Sequence, residues 1–361
     1  FFFQPQDGIR DCLLSRGLGD VYKRQIMAKV YGFKDSGNFH DEATGQATGK
    51  NIPFLSLQPQ KDLIKKLDIK AHKLDKIINE SREKLFKARE SRIHPLKDDK
   101  ILTDWNGLMI ASLARAGQIL NDEEYINAAE KAAEFVNDNL TNREGKLIKR
   151  YRLGNAGLQP HLDDYSFMIW GLLNLYEATF KTEYFSRAID LTEIMVKDFS
   201  DENGGFYIGS KDAEKLMVRA KDSFDSAIPS GNSVAAMNLF RLGKMTGNTK
   251  WTELGEKTLK AFTEQAKQSP NGFSFMLTAF MFNQKNSKEL VIVSNGLDEK
   301  TEDAIKRVKD TYAPNMVTLF KDMSKPSLLE KIAPWTEAHS LMDNKPTFYL
   351  CEDLSLIHIS E

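Results

Sequence analysis

Four aspartates stand at or just before the starts of predicted apolar helices, where carboxyl groups can take part in proton transfer. They are Asp104, Asp163, Asp164 and Asp225. Hydrolysis of a glycosidic bond needs two positioned carboxyl groups, one that donates a proton and one that acts as base or nucleophile. The free N–H groups and the positive dipole end of a helix start also favour polar ligands. We therefore treat these four residues as candidate catalytic groups.

A structural explanation competes with the catalytic one for these aspartates. A carboxylate at a helix start commonly accepts hydrogen bonds from the free N–H groups of the first turn. Asp104, together with Thr103, fits such a capping role, and Asp163 fits it as well as it fits catalysis. We expect Asp164, rather than its neighbour, to face a cavity. The sequence indicates no capping role for Asp225.

Polar and aromatic residues near the same helix starts could bind a substrate. Aromatic side chains offer flat apolar faces on which sugar rings can stack, and an arginine can hold a carboxylate or a phosphate through two hydrogen bonds. A buried core position would also explain Trp105, and an ordinary helix start would explain Ser230 and Asn232. The candidate substrate-binding residues are Trp105, Asn106, Tyr165, His161, Arg150, Ser230 and Asn232.

A unit that is repeated three times must position these residues. Each unit consists of a long apolar helix, a capped amphipathic helix and a turn that contains glycine. A single helical hairpin cannot bury its own apolar face, so a repeat of hairpins predicts a solenoid or a closed toroid. The predicted helix pairs are 104–120 with 122–140, 163–180 with 183–199, and 230–245 with 250–267.

The two helices of a unit differ in their apolar surface. The first helix of the second unit is apolar nearly all round, which is typical of a helix that is buried on every side. Its partner has one apolar stripe and is predicted to lie on the outside. Inner helices that alternate with outer helices describe an (α/α) toroid. We therefore predict a mainly α fold, with a partial (α/α) toroid over residues 26–285.

The apolar pattern changes after residue 285. Two strand-like segments, 289–294 and 316–320, flank a helical segment, 298–311. This order is a βαβ unit and implies a small parallel sheet. We assign residues 286–354 to a small α/β C-terminal element.

Both ends of the chain differ from the rest. Residues 1–25 begin with three phenylalanines and then break into charges and glycines, without the basic start of a signal peptide. They and residues 355–361 resemble translated sequencing adapters. We exclude both segments from the fold and expect the protein fragment between them to be incomplete.

Composition argues against several classes of partner and site. With 50 basic and 51 acidic residues the net charge is −1, so no electrostatic feature points to nucleic acid or to an anionic membrane. No apolar run approaches the about 20 residues that cross a bilayer. Two cysteines, Cys12 and Cys351, cannot form a disulfide framework or a Cys-rich zinc site, and they fit a reducing, cytoplasmic compartment. We find no metal-ligand cluster or phosphate-binding loop and expect no cofactor.

Four separated motifs occur in the order found in one protein family. They are Gly37-Asn38-Phe39 with Asp41–Gly45, Asp98–Ile110, Leu162–Tyr165 and Ile228–Ser233. In these motifs the chain resembles the YyaL-type proteins, also called spermatogenesis-associated protein 20-like or thioredoxin-domain-containing proteins. The resemblance covers about residues 26–353.

The resemblance implies a six-hairpin, glycosidase-like (α/α)6 toroid, related in shape to the N-acylglucosamine 2-epimerases and incomplete here. It also implies that full-length members carry an N-terminal thioredoxin-like domain, which is missing from this chain together with the first hairpins. The chain has no Cys-x-x-Cys motif, so we assign it no redox chemistry. Epimerases of this shape use histidine for proton transfer. The family more usually has an apolar or glycine-containing sequence before Asp163, which disfavours a catalytic role for His161.

The candidate residues and the resemblance together predict a carbohydrate-active or carbohydrate-binding protein whose partner is a small carbohydrate. Glycoside hydrolysis and sugar epimerisation both stay open, and hydrolysis fits better with the carboxylates and with only 6 histidines. The alternative is a non-catalytic scaffold that serves the thioredoxin-like domain. Two carboxyl groups that face each other at about 5–10 Å would favour hydrolysis. Carboxylates that are all engaged by helix N–H groups or arginines would favour the scaffold.

Overall fold

Helical hairpins form most of the structure, and a small sheet follows them along the chain. The computed structural model describes residues 21–55, 60–214, 217–284, 287–309 and 311–360. The chain consists of two compact units, and the boundary between them lies between Asp98 and Asp99. Cys12 and the adapter-like string up to residue 20 lie outside the described residues.

The first unit contains three helices among its described residues. They are α1 (Val21–Val30), α2 (Gln60–Leu67) and α3 (Ala71–Glu90). Their core cluster is formed by Ile26, Val30, Ile69, Leu74 and Ile77. Helix α1 includes residues 21–25, which we excluded as adapter-like. A helical conformation does not reveal the origin of a sequence, so that exclusion stays a prediction.

The second unit begins with strand β1 (Ile101–Leu102), and its described residues then form three helical hairpins. The hairpin helices are α4 (Thr103–Leu120) with α5 (Glu123–Asn139), α6 (Leu162–Thr179) with α7 (Thr182–Phe199), and α8 (Gly231–Thr246) with α9 (Thr249–Ala261). Strands β2 (Arg150–Arg152) and β3 (Asn155–Gly157) follow the first hairpin and complete an antiparallel sheet with β1. The first two predicted helix pairs are confirmed, and the third is confirmed as far as Ala261.

Local sequence explains where these helices begin and end. The carboxylate of Asp122 accepts a 2.9 Å hydrogen bond from the backbone N–H of Glu124 and caps α5. Helices α4, α6 and α8 each end at a residue in the left-handed conformation, namely Asn121 (φ 51°), Phe180 (φ 56°) and Gly247 (φ 75°). At each of these residues the chain turns towards the outer helix of the hairpin.

The first helices of the hairpins form an inner row in which α6 packs against both α4 and α8. Two glycines allow α4 and α6 to approach closely. A Cβ atom on Gly107 would lie 2.5 Å from the backbone carbonyl carbon of Phe167, and one on Gly171 would lie 2.9 Å from the carbonyl oxygen of Gly107. Helices α5, α7 and α9 pack outside their inner partners. The predicted inner and outer rows of a partial α/α toroid are confirmed.

A fourth inner helix continues the row, and we did not predict it. After α9 come the short helix α10 (Thr263–Gln268), a 3₁₀ turn (Pro270–Phe273) and helix α11 (Ser274–Asn283), which packs against α8. The predicted helix over 250–267 is therefore interrupted at Phe262. Helix α11 is apolar nearly all round, so it has no polar face that would reveal a helical period.

A four-stranded sheet lies at the C-terminal end of the second unit. Its strands, in spatial order, are β5 (Met316–Asp322), β4 (Lys288–Ser294), β6 (Thr347–Glu352) and β7 (Ser355–Ser360). Helix α12 (Glu299–Lys309) joins the parallel strands β4 and β5, which confirms the predicted βαβ unit. The short helix α13 (Ser327–Glu330) follows β5. Strand β7 pairs with β6 although we excluded its residues as adapter-like, and this pairing leaves their origin untested.

The hairpins and the sheet share one hydrophobic core. The rings of Phe180 and Phe320 stack with 5.3 Å between their centroids. The hydroxyl oxygen of Tyr176 accepts a 3.2 Å hydrogen bond from the backbone N–H of Phe320. None of the described helices combines the length and apolar character that crossing a bilayer requires.

Candidate functional site

The first turns of α4 and α6 meet, and a buried carboxyl group joins them. Asp164 is fully buried in the first turn of α6. Its Oδ1 accepts a 3.0 Å hydrogen bond from the backbone N–H of Asp104, and its Oδ2 accepts a 2.7 Å hydrogen bond from the backbone N–H of His161. Both oxygens therefore satisfy N–H groups at helix starts. Asp164 is a capping residue, and our prediction that it faces a cavity is wrong.

Lys149 brings a positive charge to the same place. It lies just before β2, and its Nζ atom lies 3.0 Å from Asp104 Oδ2 and 3.4 Å from Asp164 Oδ2. Burial acts to lower the pKa of Lys149, but the two carboxylates outweigh burial and the net shift is upward. The ammonium group is therefore charged at neutral pH. Sequence reasoning missed Lys149, because no motif marks a lysine in an extended segment.

Asp163 is less constrained than its neighbour Asp164. It is partly exposed, and its carboxyl group accepts a hydrogen bond from the backbone N–H of Gly231 at the start of α8. Burial and the negative charge of Asp104 raise the pKa of Asp163 to about 6, with a smaller contribution from Asp222 and against the opposing charge of Lys149. A carboxyl group with this pKa can donate and accept a proton near neutral pH.

Burial raises the pKa of Asp164 to about 7, which is higher than that of Asp163, and the positive charge of Lys149 opposes this shift. Its two oxygens are already engaged by backbone N–H groups, and none of its surface is exposed. The raised pKa of Asp164 is therefore a property of a buried cap. Two adjacent aspartates thus have different roles, since one holds the helices together and the other can reach a ligand.

The Asp163→Asn variant is expected to gain stability relative to the wild type as the pH rises from about 4 to 7. The folded pKa of Asp163, about 6, lies above the ordinary value of 3.8. The stability that neutral Asp163 contributes is therefore complete below pH 3.8 and is lost as the pH rises through 6. The difference in free energy of unfolding should grow by about 1–2 kcal/mol, allowing for partial exposure. Urea denaturation across this range measures it, and a pH-independent difference would contradict the raised pKa.

Gly231 leaves room for the carboxyl group of Asp163. A Cβ atom at this position would collide with Asp163 Oδ1 and would lie 2.9 Å from Leu162 Cγ. We expect the Gly231→Ala variant to displace Asp163 and to lower the free energy of unfolding by about 1–3 kcal/mol. The control is Gly209→Ala, whose Cβ would meet only Ala213, at 3.9 Å. Chemical denaturation should separate the two variants, and equal stabilities would contradict the close contact.

Asp225 has a structural role, because backbone N–H groups engage both of its carboxylate oxygens. Its Oδ1 accepts a 2.9 Å hydrogen bond from the backbone N–H of Ser230, and its Oδ2 accepts hydrogen bonds from those of Phe275 (2.8 Å) and Met276 (3.2 Å). Asp225 therefore caps α11 and holds the start of α8. We missed this role because we did not predict α11. Its carboxylate is fully engaged, so we no longer count it among the catalytic candidates.

Ser230 and Asn232 also have structural roles. Ser230 caps α8, because its Oγ accepts a 3.1 Å hydrogen bond from the backbone N–H of Ser233. Asn232 is fully buried. Its Oδ1 accepts from the backbone N–H of Phe206 (2.7 Å), and its Nδ2 donates to the carbonyl oxygens of Phe206 (2.9 Å) and Asp222 (2.7 Å). Asn232 thus fixes the segment that carries Asp222.

The two aromatic candidates differ in their exposure. Trp105, next to Asp104, is 64% exposed, so the core position that we considered for it is excluded. Its ring is free to lie against a ligand. Tyr165 is 1% exposed, its hydroxyl oxygen accepts a 3.1 Å hydrogen bond from the backbone N–H of Leu147, and its ring packs 5.2 Å from that of Phe199. Tyr165 is therefore a core residue.

His161, Asn106 and Arg150 stand in three different environments. His161 is exposed at the start of α6, and partial burial of its ring together with the charge of Lys149 lowers its pKa, so it is neutral at pH 7. Asn106 Nδ2 donates a 2.7 Å hydrogen bond to the carbonyl oxygen of Leu102. Arg150 Nε is buried and has no hydrogen-bond partner in the part of the chain that the structure describes. Of these three residues, His161 lies close enough to Lys149 and Asp104 for their charges to affect its pKa.

The acidic cluster consists of Asp104, Asp163, Asp164 and Lys149. Asp163 is partly open, whereas Asp104 is buried. Asp104 Oδ1 accepts a 2.8 Å hydrogen bond from the backbone N–H of Trp105, and its Oδ2 is paired with Lys149. Two carboxyl groups in such different environments can divide the roles of proton donor and charged partner. Within the described ranges, no group of three or more His, Cys, Asp or Glu side chains could hold a metal ion.

Sequence comparison finds relatives that match most of the chain. Spermatogenesis-associated protein 20 of Homo sapiens is 32% identical over 346 residues, which are 91% of this chain and 43% of the relative. The protein of the same name in Rattus norvegicus is 30% identical over 344 residues, with the same two shares. The chain thus spans about half the length of the curated relatives that it matches. No family model matches the chain.

Comparison with solved structures finds weaker similarities. The GH76 alpha-mannanase of Bacteroides thetaiotaomicron is 15% identical, with a TM-score of 0.44, over 64% of this chain and 66% of that chain. A sugar epimerase from a ruminal bacterium is 17% identical, with a TM-score of 0.41, over 49% and 47%. The unsaturated glucuronyl hydrolase of Bacillus sp. GL1 is 15% identical, with a TM-score of 0.39, over 57% and 59%. Since these similarities are weak, the fold assignment rests on the helix order and packing of this chain.

Proposed function

This chain is a homologue of the spermatogenesis-associated protein 20-like proteins, and we propose that its acidic cluster is a carbohydrate-active site. In this proposal Asp163 is the proton donor and Asp104, paired with Lys149, is the charged partner. The substrate is a sugar whose ring lies near the exposed face of Trp105. The family resemblance that we inferred from the four motifs is confirmed, but the family name states no chemistry, so the proposal rests on the cluster.

The observation that carries the proposal is the contrast between Asp163 and Asp104. Asp163 is partly exposed and has a pKa of about 6, so it gains and loses a proton in the pH range just below neutral. The carboxylate of Asp104 lies 3.0 Å from the ammonium group of Lys149 and forms a salt bridge with it. A carboxyl group that titrates near pH 6 and a carboxylate paired with a lysine lie at neighbouring helix starts, which supports a division into proton donor and charged partner of the kind that glycosidic bond cleavage requires.

Hydrolysis and epimerisation use the cluster differently. In hydrolysis Asp163 protonates the leaving oxygen, and the negative charge of Asp104 stabilises positive charge that develops on the sugar. In epimerisation the neutral, exposed imidazole of His161 would remove a proton from a sugar carbon. We favour hydrolysis, because it uses two carboxyl groups that lie at neighbouring helix starts, whereas epimerisation would depend on a single histidine.

A sugar-binding screen tests the proposal. Thermal shift is measured on the 361-residue chain with mono- and disaccharides and uronic acids. The matched control for Asp163→Asn is Asp303→Asn, an exposed aspartate of α12. We expect a sugar that raises the melting temperature of the wild type and of Asp303→Asn, but raises that of Asp163→Asn much less. A sugar that stabilises all three proteins equally would place its site elsewhere.

The alternative is a non-catalytic scaffold for a thioredoxin-like domain of the full-length protein. It is favoured by the engagement of Asp164 and Asp225, since backbone N–H groups occupy both oxygens of each carboxyl group. The oxygens of Asp104 are also engaged, one by the backbone N–H of Trp105 and the other by Lys149. If no sugar in the screen changes the melting temperature of the wild type, the carbohydrate proposal fails and the scaffold becomes the better account.

A further inference from the structure

A cavity of about 260 Å³ lies between the outer helices α5 and α7, and the acidic cluster does not use it. Its floor is apolar and includes Val136 of α5, Met168 and Leu172 of α6, and Leu191 of α7. All four are buried. An apolar cavity of about 150 Å³ is enough to hold benzene. This cavity therefore has room for an aromatic ring that carries a short chain.

The mouth of the cavity is acidic. Glu134 and Asp138 of α5 and Glu183 of α7 line it, and all three are exposed. No lysine or arginine within the described residues forms a salt bridge with any of them. Asp138 Oδ1 accepts a 3.2 Å hydrogen bond from the neighbouring Asn137 Nδ2, which leaves its charge in place. The mouth thus carries three carboxylates above an apolar floor.

One cation, Arg187, also lines the cavity, and the fold already engages it. Its Nη2 donates a 3.0 Å hydrogen bond to the carbonyl oxygen of Gly145 and a 3.4 Å hydrogen bond to Thr141 Oγ1. The three carboxylates and this one guanidinium group leave an excess of negative charge around the cavity. This negative charge would repel an anion and would attract a cation to the mouth of the cavity.

We propose that this cavity binds a small arylalkyl amine in its protonated form. The ring occupies the floor, where the Met168 thioether and the Tyr184 ring suit an aromatic group. The ammonium group lies at the mouth beside Glu134, Asp138 and Glu183. The site is separate from the acidic cluster, and it does not depend on the proposed sugar chemistry.

Calorimetric titration with three compounds of similar shape tests the ligand class. Phenethylammonium should bind with a dissociation constant on the order of 1 mM. The neutral 2-phenylethanol should bind about five- to tenfold more weakly, and 3-phenylpropionate should not bind, because the mouth is negative. Raising the salt concentration should weaken only the binding of the cation. Failure of phenethylammonium to bind, or equal binding of the alcohol, would overturn the proposal.

Matched variants locate the binding. Glu183→Gln removes one charge from the mouth and should weaken phenethylammonium binding about threefold, whereas Glu193→Gln, on the same helix outside this cavity, should leave it unchanged. Ala133→Leu places a larger side chain in the cavity and should abolish binding of both the cation and the alcohol. If Ala133→Leu fails to fold, the two glutamine variants still test the proposal. Equal affinities of Glu183→Gln and Glu193→Gln for phenethylammonium would overturn it.

Discussion

The Asp163→Asn variant is expected to keep its fold and to lose sugar turnover, with kcat/KM falling by about 10²–10⁴-fold. An amide cannot donate the proton that a leaving sugar oxygen needs, but its carbonyl oxygen can still accept the hydrogen bond from the backbone N–H of Gly231. The loss of turnover should therefore result from the missing proton donor and not from a change in structure. Steady-state kinetics on a sugar identified by the binding screen measure it.

The pH dependence of the wild type gives the companion result. Only protonated Asp163 can act as the donor, so kcat/KM should fall as the pH rises through about 6. Asp303→Asn should keep both the rate and the pH profile of the wild type, because its side chain is exposed on α12. Wild-type turnover in the Asp163→Asn variant would contradict the role that we give to Asp163.

The Asp164→Ala variant is expected to lose about 2–4 kcal/mol of unfolding free energy. The substitution leaves the backbone N–H groups of Asp104 and His161 without their acceptors at the place where α4 meets α6. It also removes one of the two carboxyl groups beside Lys149. Burial of a carboxyl group is itself unfavourable, so its removal offsets part of the loss of unfolding free energy. Urea denaturation at constant pH measures the difference from the wild type.

The loss caused by Asp164→Ala should be larger at pH 5 than at pH 8. The folded pKa of Asp164, about 7, lies above its ordinary value of 3.8, so its contribution to stability is complete below pH 3.8 and is lost as the pH rises through 7. The alanine variant lacks this titration. Asp303→Ala should lose less than about 0.5 kcal/mol at either pH. An equally small loss for Asp164→Ala would contradict the capping role.

The hairpins could be predicted from the sequence because their apolar residues follow a clear helical period. The strands on either side of α12 could also be predicted, since two short apolar runs with a helix between them indicate a βαβ unit. The aspartates at helix starts could also be identified, and Asp104 lies close enough to Asp163 for its charge to raise the pKa of Asp163. In these cases residue type and local pattern were sufficient to predict the helices, the strands and the positions of the aspartates.

The individual roles of the aspartates could not be predicted, because they depend on contacts that are distant in sequence. The role of Asp225 depends on the backbone of Phe275 and Met276, 50 and 51 residues away. Asp164 meets the start of α4 and is fully buried, whereas Asp163 meets the start of α8 and is partly exposed. No short-range pattern distinguishes adjacent residues whose partners lie on different helices.

Carbon-13 titration of the Asp163 carboxyl group, with and without a panel of sugars, tests the central claim most directly. We predict a pKa near 6 for the free protein and a change in that pKa when a sugar binds, because the donor must face its ligand. A pKa near the ordinary value of 3.8 that no sugar changes would contradict the proposed carbohydrate site at the inner-helix starts.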